Sequence, residues 1–157
     1  GRIRIYSPGQ YEGTLGSLGP EPLSDDFTAD QFYTSLKVSN RKIKTQLLSQ
    51  RPVAGVGNIY ACEALNRSHI SPTRLSNTIT LEECEVLVSE IKVILSEAIR
   101  VGGSSLRDFA GVDGTLGYFI HQFRVYDKEG GECECGGTIE RLVQGGRSTF
   151  WCSSCQK

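Results

Sequence analysis

Four of the six cysteines, Cys133, Cys135, Cys152 and Cys155, fall within the last 25 residues of the chain as two close pairs. Glu134 alone separates the first pair, and sixteen residues further on Cys152 and Cys155 enclose Ser153 and Ser154. Two such knuckles closing on each other across a hairpin bring four thiolates to the corners of a tetrahedron, which is the donor set of one structural zinc ion. The alternative is a disulfide-stapled tail, with three possible pairings. A one-residue spacer makes a strained local bridge, and no secretory pattern opens the chain, so zinc is the reading carried forward. The spacer is also the expected soft point of the site, because ribbons usually place two residues between the first two ligands. With sulfur in all four positions there is no open coordination site for a water, so the metal would hold shape and perform no chemistry. Cys62 and Cys84 sit in apolar, helix-like text and read as small buried hydrophobes.

Two further constellations suit anions. In Val53-Ala-Gly-Val-Gly57-Asn58-Ile-Tyr60, Gly55 and Gly57 permit a sharp turn, and Asn58 would open a helix whose first N–H groups, with the Asn amide, suit a phosphate. A plain tight turn is the other reading, and a dinucleotide site fails for want of a preceding strand and a third glycine. In Gly145-Gly146-Arg147-Ser148-Thr149 an arginine at a hairpin tip is flanked by hydroxyls, a shape that can straddle a nucleic-acid groove; a solvated turn arginine is the bland alternative. Together the two devices suggest two clamps on one phosphate backbone. His69 and His121 read as packing or surface residues, and Glu82, Glu83 and Glu85 as the acidic first turn of a helix.

The elements that must position these groups are legible in outline. Residues 1–23 read as a linker, with an alternating Gly1–Tyr6 like a strand entered midway. A capping box at Thr28–Gln31 opens a helix to about Val38; Arg41–Ser49 forms a second, stopped by Pro52; a third starts near Asn58 and ends by His69 to Pro72. Thr80–Glu83 is another capping box. It opens the longest helix, whose stripe of Cys84, Leu87, Val88, Ile91, Ile94, Leu95, Ala98 and Val101 ends at Gly102-Gly103. A glycine-punctuated loop from Ser104 to Gly117 follows, then Tyr118–Tyr126, then strands over 138–144 and 148–151. The expected architecture is mostly α with a small β zinc ribbon: a linker at 1–23, a helical unit at 24–126 and a ribbon at 127–157.

Composition sets the outer limits. The chain has 157 residues, 38% of them hydrophobic, enough for a real core, and no apolar run approaches the roughly 20 residues of a membrane span. Cytoplasm is the expected address. Lysine and arginine total 17 against 18 acidic residues, which excludes a strongly basic particle that coats nucleic acid indiscriminately, so any such contact must be local. There is no methionine anywhere, and a missing N-terminal half is expected.

Leu18-Gly-Pro-Glu-Pro-Leu23, Val53-Ala-Gly-Val-Gly-Asn-Ile-Tyr-Ala61, Gly102-Gly-Ser-Ser-Leu-Arg-Asp-Phe109 and Gly146-Arg-Ser-Thr-Phe150 with Cys152-x-x-Cys155 occur in this order and at matching intervals. On these motifs the chain, over about residues 17–156, resembles the C-terminal half of the formamidopyrimidine-DNA glycosylase family. The resemblance implies a helix-two-turns-helix bundle followed by a β-hairpin zinc finger. It also implies a base-excision-repair enzyme that removes oxidised purines from damaged double-stranded DNA and cuts the abasic strand by β,δ-elimination. By position, Asn58 and Arg147 would hold the phosphates flanking the lesion, and Lys44 matches a lysine on the lesion side. Ser104, Ser105, Leu106, Arg107, Asp108 and Phe109 match a mobile loop that closes over the extruded base. No catalytic residue is assigned here: the family's nucleophile is an N-terminal proline amine, aided by a glutamate and a lysine upstream. The full-length protein, with the missing N-terminal domain, is expected to be a monomer, and the chain alone to bind damaged or bent DNA weakly without cleaving it. A non-catalytic DNA-binding or scaffold module, and an endonuclease VIII-like pyrimidine enzyme, are the alternatives.

Overall fold

The computed structural model describes residues 19–102 and 123–157, with backbone alone for 100–102. The expected strand at Gly1–Tyr6, the segment Ser104–Phe109 and His121 lie outside the described residues.

Local capping decides where the helices begin. Thr28 opens α1 (Ala29–Lys37) by accepting the Gln31 N–H on its Oγ1 at 3.2 Å, and Phe32 and Leu36, one turn apart, face inward. The short α2 (Ile43–Leu48) ends at Ser49, ahead of Pro52. Two tight turns then occupy 49–57: Gln50 (φ 65°) closes the first, Gly55 (φ 85°) the second, and Gln50 Oε1 accepts the Gly55 N–H at 3.0 Å. Val53 and Val56, in the same segment, are buried in the helical core. α3 (Asn58–Arg67) follows, so the architecture is helix, two turns, helix. His69 adopts a left-handed conformation past its end, and the Ile70 N–H reaches back to the Leu65 carbonyl at 3.0 Å. The exposed His69 therefore terminates a helix.

After a 3-10 turn at Ser76–Thr78 comes α4 (Leu81–Gly102). Its capping box is reciprocal: Thr80 Oγ1 accepts the Glu83 N–H at 3.1 Å and Glu83 Oε1 accepts the Thr80 N–H at 2.9 Å. Cys84, Leu87, Val88, Ile91, Ile94 and Ala98 are buried along one stripe, against α1 and α3. Phe27 and Phe32 meet edge to face at 5.5 Å within the same core, and Arg67 on α3 pairs with Glu97 of α4 at 3.5 Å. No helix of the described residues is long and apolar enough to cross a membrane.

The ribbon is an antiparallel hairpin of β1 (Ile139–Gln144) and β2 (Arg147–Cys152). Gly145 (φ 57°) and Gly146 (φ 79°) make a two-residue turn in the left-handed region that hairpins favour. The sequence reading put Arg147 inside the turn; in the structure it is the first residue of β2, opposite Gln144. Two glycines suffice to reverse the chain, so pairing starts one residue earlier than expected.

Candidate nucleic-acid interface and metal centre

The four cysteine sulfurs converge. All lie within 4.8 Å of one another, with Cys133 Sγ 3.7 Å from Cys155 Sγ and Cys135 Sγ 3.5 Å from Cys152 Sγ. A tetrahedron with zinc–sulfur bonds of about 2.3 Å has edges of about 3.8 Å, so this all-sulfur donor set fits one structural zinc ion. The short spacer does not prevent closure. Cys133 N–H donates to the Gly137 carbonyl at 2.7 Å and Gly136 N–H to the Cys133 carbonyl at 2.8 Å, a turn made with Gly136 at φ 96°. Gly137 N–H then points at Cys135 Sγ, 3.4 Å away. A Cβ on Gly137 would stand 2.8 Å from Cys152 Sγ, so only glycine lets the two knuckles approach.

The clamp residues meet on one side of the molecule. Asn58 is the first residue of α3, and Gly57 occupies the cap position with no side-chain bond. The first N–H groups of that helix therefore have no intrahelical acceptor. Asn58 does not cap its own helix. Its Oδ1 accepts from Lys44 Nζ at 2.6 Å, and its Nδ2 donates to the Ser148 carbonyl in β2 at 3.0 Å, ninety residues away. Asn58 and the exposed Arg147 line one cleft of about 560 Å³, together with Glu21, Tyr60, Leu95 and Tyr126. Gly57 (φ −88°) needs no glycine for its conformation, contrary to expectation; open space surrounds the position of its missing Cβ, and the cleft mouth stays clear.

Lys44 lies beneath this surface, fully buried. Burial lowers its proton affinity below the usual 10.5, the Cys62 thiol beside it works the other way, and the Arg147 guanidinium lowers it further. A lysine with a depressed folded value costs stability while charged, and the cost fades as pH rises toward 10.5. Lys44→Met is therefore expected to be at least as stable as the parent in urea melts at neutral pH, any gap narrowing as pH is raised. A large loss of stability at neutral pH would contradict this.

A second set of polar groups, which sequence reasoning missed, docks the ribbon on α3. Glu63 is buried, and its carboxylate accepts the N–H groups of Arg124 (2.7 Å), Val125 (3.0 Å) and Tyr126 (2.8 Å). Asn66 Nδ2 donates to Gln156 Oε1 at 2.9 Å, and Gln156 Nε2 to the Ile70 carbonyl at 2.9 Å. Gln144 Nε2 reaches the Pro72 carbonyl at 3.1 Å. The available signal was a charged residue amid Ala61, Cys62, Ala64 and Leu65, since an acid on a buried stripe must have partners. Cys62 and Cys84 are buried as expected, burial pushing both thiols up, Cys84 to about 12.

A family model described as the formamidopyrimidine-DNA glycosylase H2TH domain matches residues 18–110. The chain belongs to that family. A second model, the zinc finger found in FPG and IleRS, matches residues 134–157. Among similar formamidopyrimidine-DNA glycosylases, that of Phenylobacterium zucineum is 55% identical over 146 residues, covering 91% of this chain and 51% of its own. That of Paracoccus denitrificans is 48% identical and covers 100% and 57%. The chain thus spans about half the length of the curated relatives it matches. A MutM solved with DNA containing carbocyclic 8-oxo-G superposes with a TM-score of 0.81 at 36% identity, over 96% of this chain and 54% of that one. Lactococcus lactis FPG solved with FAPY-dG-containing DNA gives 0.81 at 35% identity, over 95% and 54%.

Proposed function

We propose that this chain is the DNA-holding half of a base-excision glycosylase and abasic-site lyase acting on oxidised purines, and that it grips damaged duplex DNA as a monomer. One observation carries the reading: Asn58 and Arg147, from two separate scaffolds, line the same cleft, and Asn58 is bonded to the ribbon residue next to Arg147. Each part suits a sugar-phosphate backbone. The first-turn N–H groups of α3 and the positive end of its dipole favour an anion, the bare Gly57 lets a phosphate approach, and the Arg147 guanidinium closes the far side. Phosphate contacts of this kind fix register and carry no sequence information, as a lesion-seeking protein requires. Turning a damaged nucleotide out of the stack costs a few kcal/mol, which contacts on both sides of a kinked backbone can offset. The relatives solved with 8-oxo-G and FAPY-dG DNA support the substrate class. Bond cleavage belongs to the whole protein, because no residue of the chain is assigned as nucleophile.

The test is fluorescence anisotropy of the zinc-loaded chain on a labelled duplex carrying a tetrahydrofuran abasic analogue, over a salt series. Asn58→Ala and Arg147→Ala are each expected to weaken binding by roughly tenfold or more, and Arg147→Ala to flatten the log-log salt dependence by about one unit. No strand nicking is expected on an oxidised-guanine duplex. Unchanged affinity in the double variant would overturn the reading.

A further inference from the structure

We propose that Lys44 is a positioning residue: it acts on DNA through Asn58, fixing which end of that amide faces the cleft, without itself touching a phosphate. The inference rests on the clamp reading above and adds to it a buried residue with a defined task.

Donor and acceptor polarity decides what the cleft can attract. An asparagine amide presents a carbonyl oxygen and an NH2 of similar shape, and in an open cleft either could face outward. Only one orientation attracts a phosphate. With the oxygen outward, the site would present a lone pair to an anion; with the nitrogen outward, it presents a donor.

Two neighbours of opposite polarity remove the choice. Lys44 Nζ, which as an ammonium can only donate, lies 2.6 Å from Asn58 Oδ1. The Ser148 carbonyl, which can only accept, lies 3.0 Å from Nδ2. A flipped amide would set donor against donor at one end and acceptor against acceptor at the other. Held as it is, Asn58 uses one of its two Nδ2 protons on Ser148 and keeps the second for the cleft it lines. Lys44 is fully buried, so its side chain is not available to bind DNA directly. Its neighbourhood is otherwise unsuited to a charge: burial already disfavours its protonated form, and among the described residues no carboxylate pairs with it. A buried ammonium without a counter-ion, bonded to the amide of a clamp residue, is an arrangement that costs stability and orients a donor.

A double-mutant cycle on the zinc-loaded chain tests this, with anisotropy on the tetrahydrofuran duplex as the readout and urea melts alongside. Lys44→Met is expected to weaken binding about tenfold while leaving the fold at least as stable. In the Asn58→Ala background the same change is expected to weaken binding less than twofold, because the group it orients is gone. Asn58→Asp supplies a second measurement: it keeps an acceptor for Lys44 but aims a carboxylate oxygen at the Ser148 carbonyl and the cleft, so binding should fall further than in Asn58→Ala. Additive losses in the cycle, or Asn58→Asp binding as well as the parent, would overturn the role given to Lys44 and leave the clamp reading intact. Full binding by Asn58→Ala would overturn both.

Discussion

Removal of the metal is expected to abolish DNA binding while leaving most of the helix signal in place. Structural zinc in a small ribbon contributes on the order of 10–16 kcal/mol of apparent binding free energy at neutral pH, and most of that is folding free energy. This ribbon has little else to rely on. Apart from cysteines, its buried apolar side chains are Val125, Ile139 and Phe150, and an isolated two-stranded hairpin is at best marginal in water. The helical part has its own core, from Phe27 and Phe32 through Leu87 and Ile91, and does not need the metal. Loss of the ribbon takes away Arg147 and also the Ser148 carbonyl that holds Asn58, so both halves of the clamp fail together. Chelation, or Cys152→Ala, should therefore change the fluorescence of Trp151, which sits beside Cys152 in β2, retain the far-ultraviolet helix band, and raise the dissociation constant on the abasic duplex by more than a hundredfold. Zinc content measured on the same samples completes the comparison. A metal-free chain that binds DNA as tightly as the zinc form would show that the ribbon is not a zinc-dependent clamp.

Loss of the Glu63 carboxylate is expected to be strongly destabilising. Three backbone N–H groups converge on its two oxygens from the segment that leads into the ribbon. Hydrogen bonds to a charged acceptor contribute about 1.5–3 kcal/mol each, and a buried N–H left without a partner costs about 1–3 kcal/mol. The terms are not additive, but Glu63→Ala should lower stability by about 3–5 kcal/mol, a large part of the 5–15 kcal/mol typical of a whole domain. Glu63→Gln keeps one accepting oxygen and should lose about half as much. The measurement is a urea melt of the zinc-loaded chain followed by both Trp151 emission and the helix band. Glu63→Ala is expected to separate the two transitions, because the carboxylate joins α3 to the ribbon approach and contributes little inside either unit. A melt indistinguishable from the parent would mean that water or another acceptor satisfies Arg124, Val125 and Tyr126 equally well.

These two expectations describe one mechanical arrangement. In the proposed clamp the phosphate-facing groups come from a helix start and a hairpin, and each is expected to bind DNA well only when the other is held in register. Glu63 fixes the approach to the ribbon, the Asn66–Gln156 pair fixes its end, and Gln144 fixes its turn region against Pro72. The Asn58–Ser148 bond then sits between two docked bodies and reports their alignment at the cleft.

What could be read from the chain in advance is what short-range interactions control. The capping boxes at Thr28 and Thr80, the stop at Pro52, the Gly145-Gly146 reversal and the cysteine pairs each involve groups a few residues apart, so their geometry is written in spacing. The zinc site belongs here too, because two knuckles on adjacent hairpin arms can close only on each other. Folding in three dimensions decided the partners of Lys44, Asn58 and Glu63, which lie 14, 90 and 61–63 residues away along the chain. Residue type at these positions says that a polar group exists, but burial and the nearest opposite dipole decide what it does. Spacing alone does not set Lys44 apart within the α2 segment, and only the resemblance places it on the lesion side; the packing of α3 and β2 over it buries its side chain with the ammonium against the Asn58 amide.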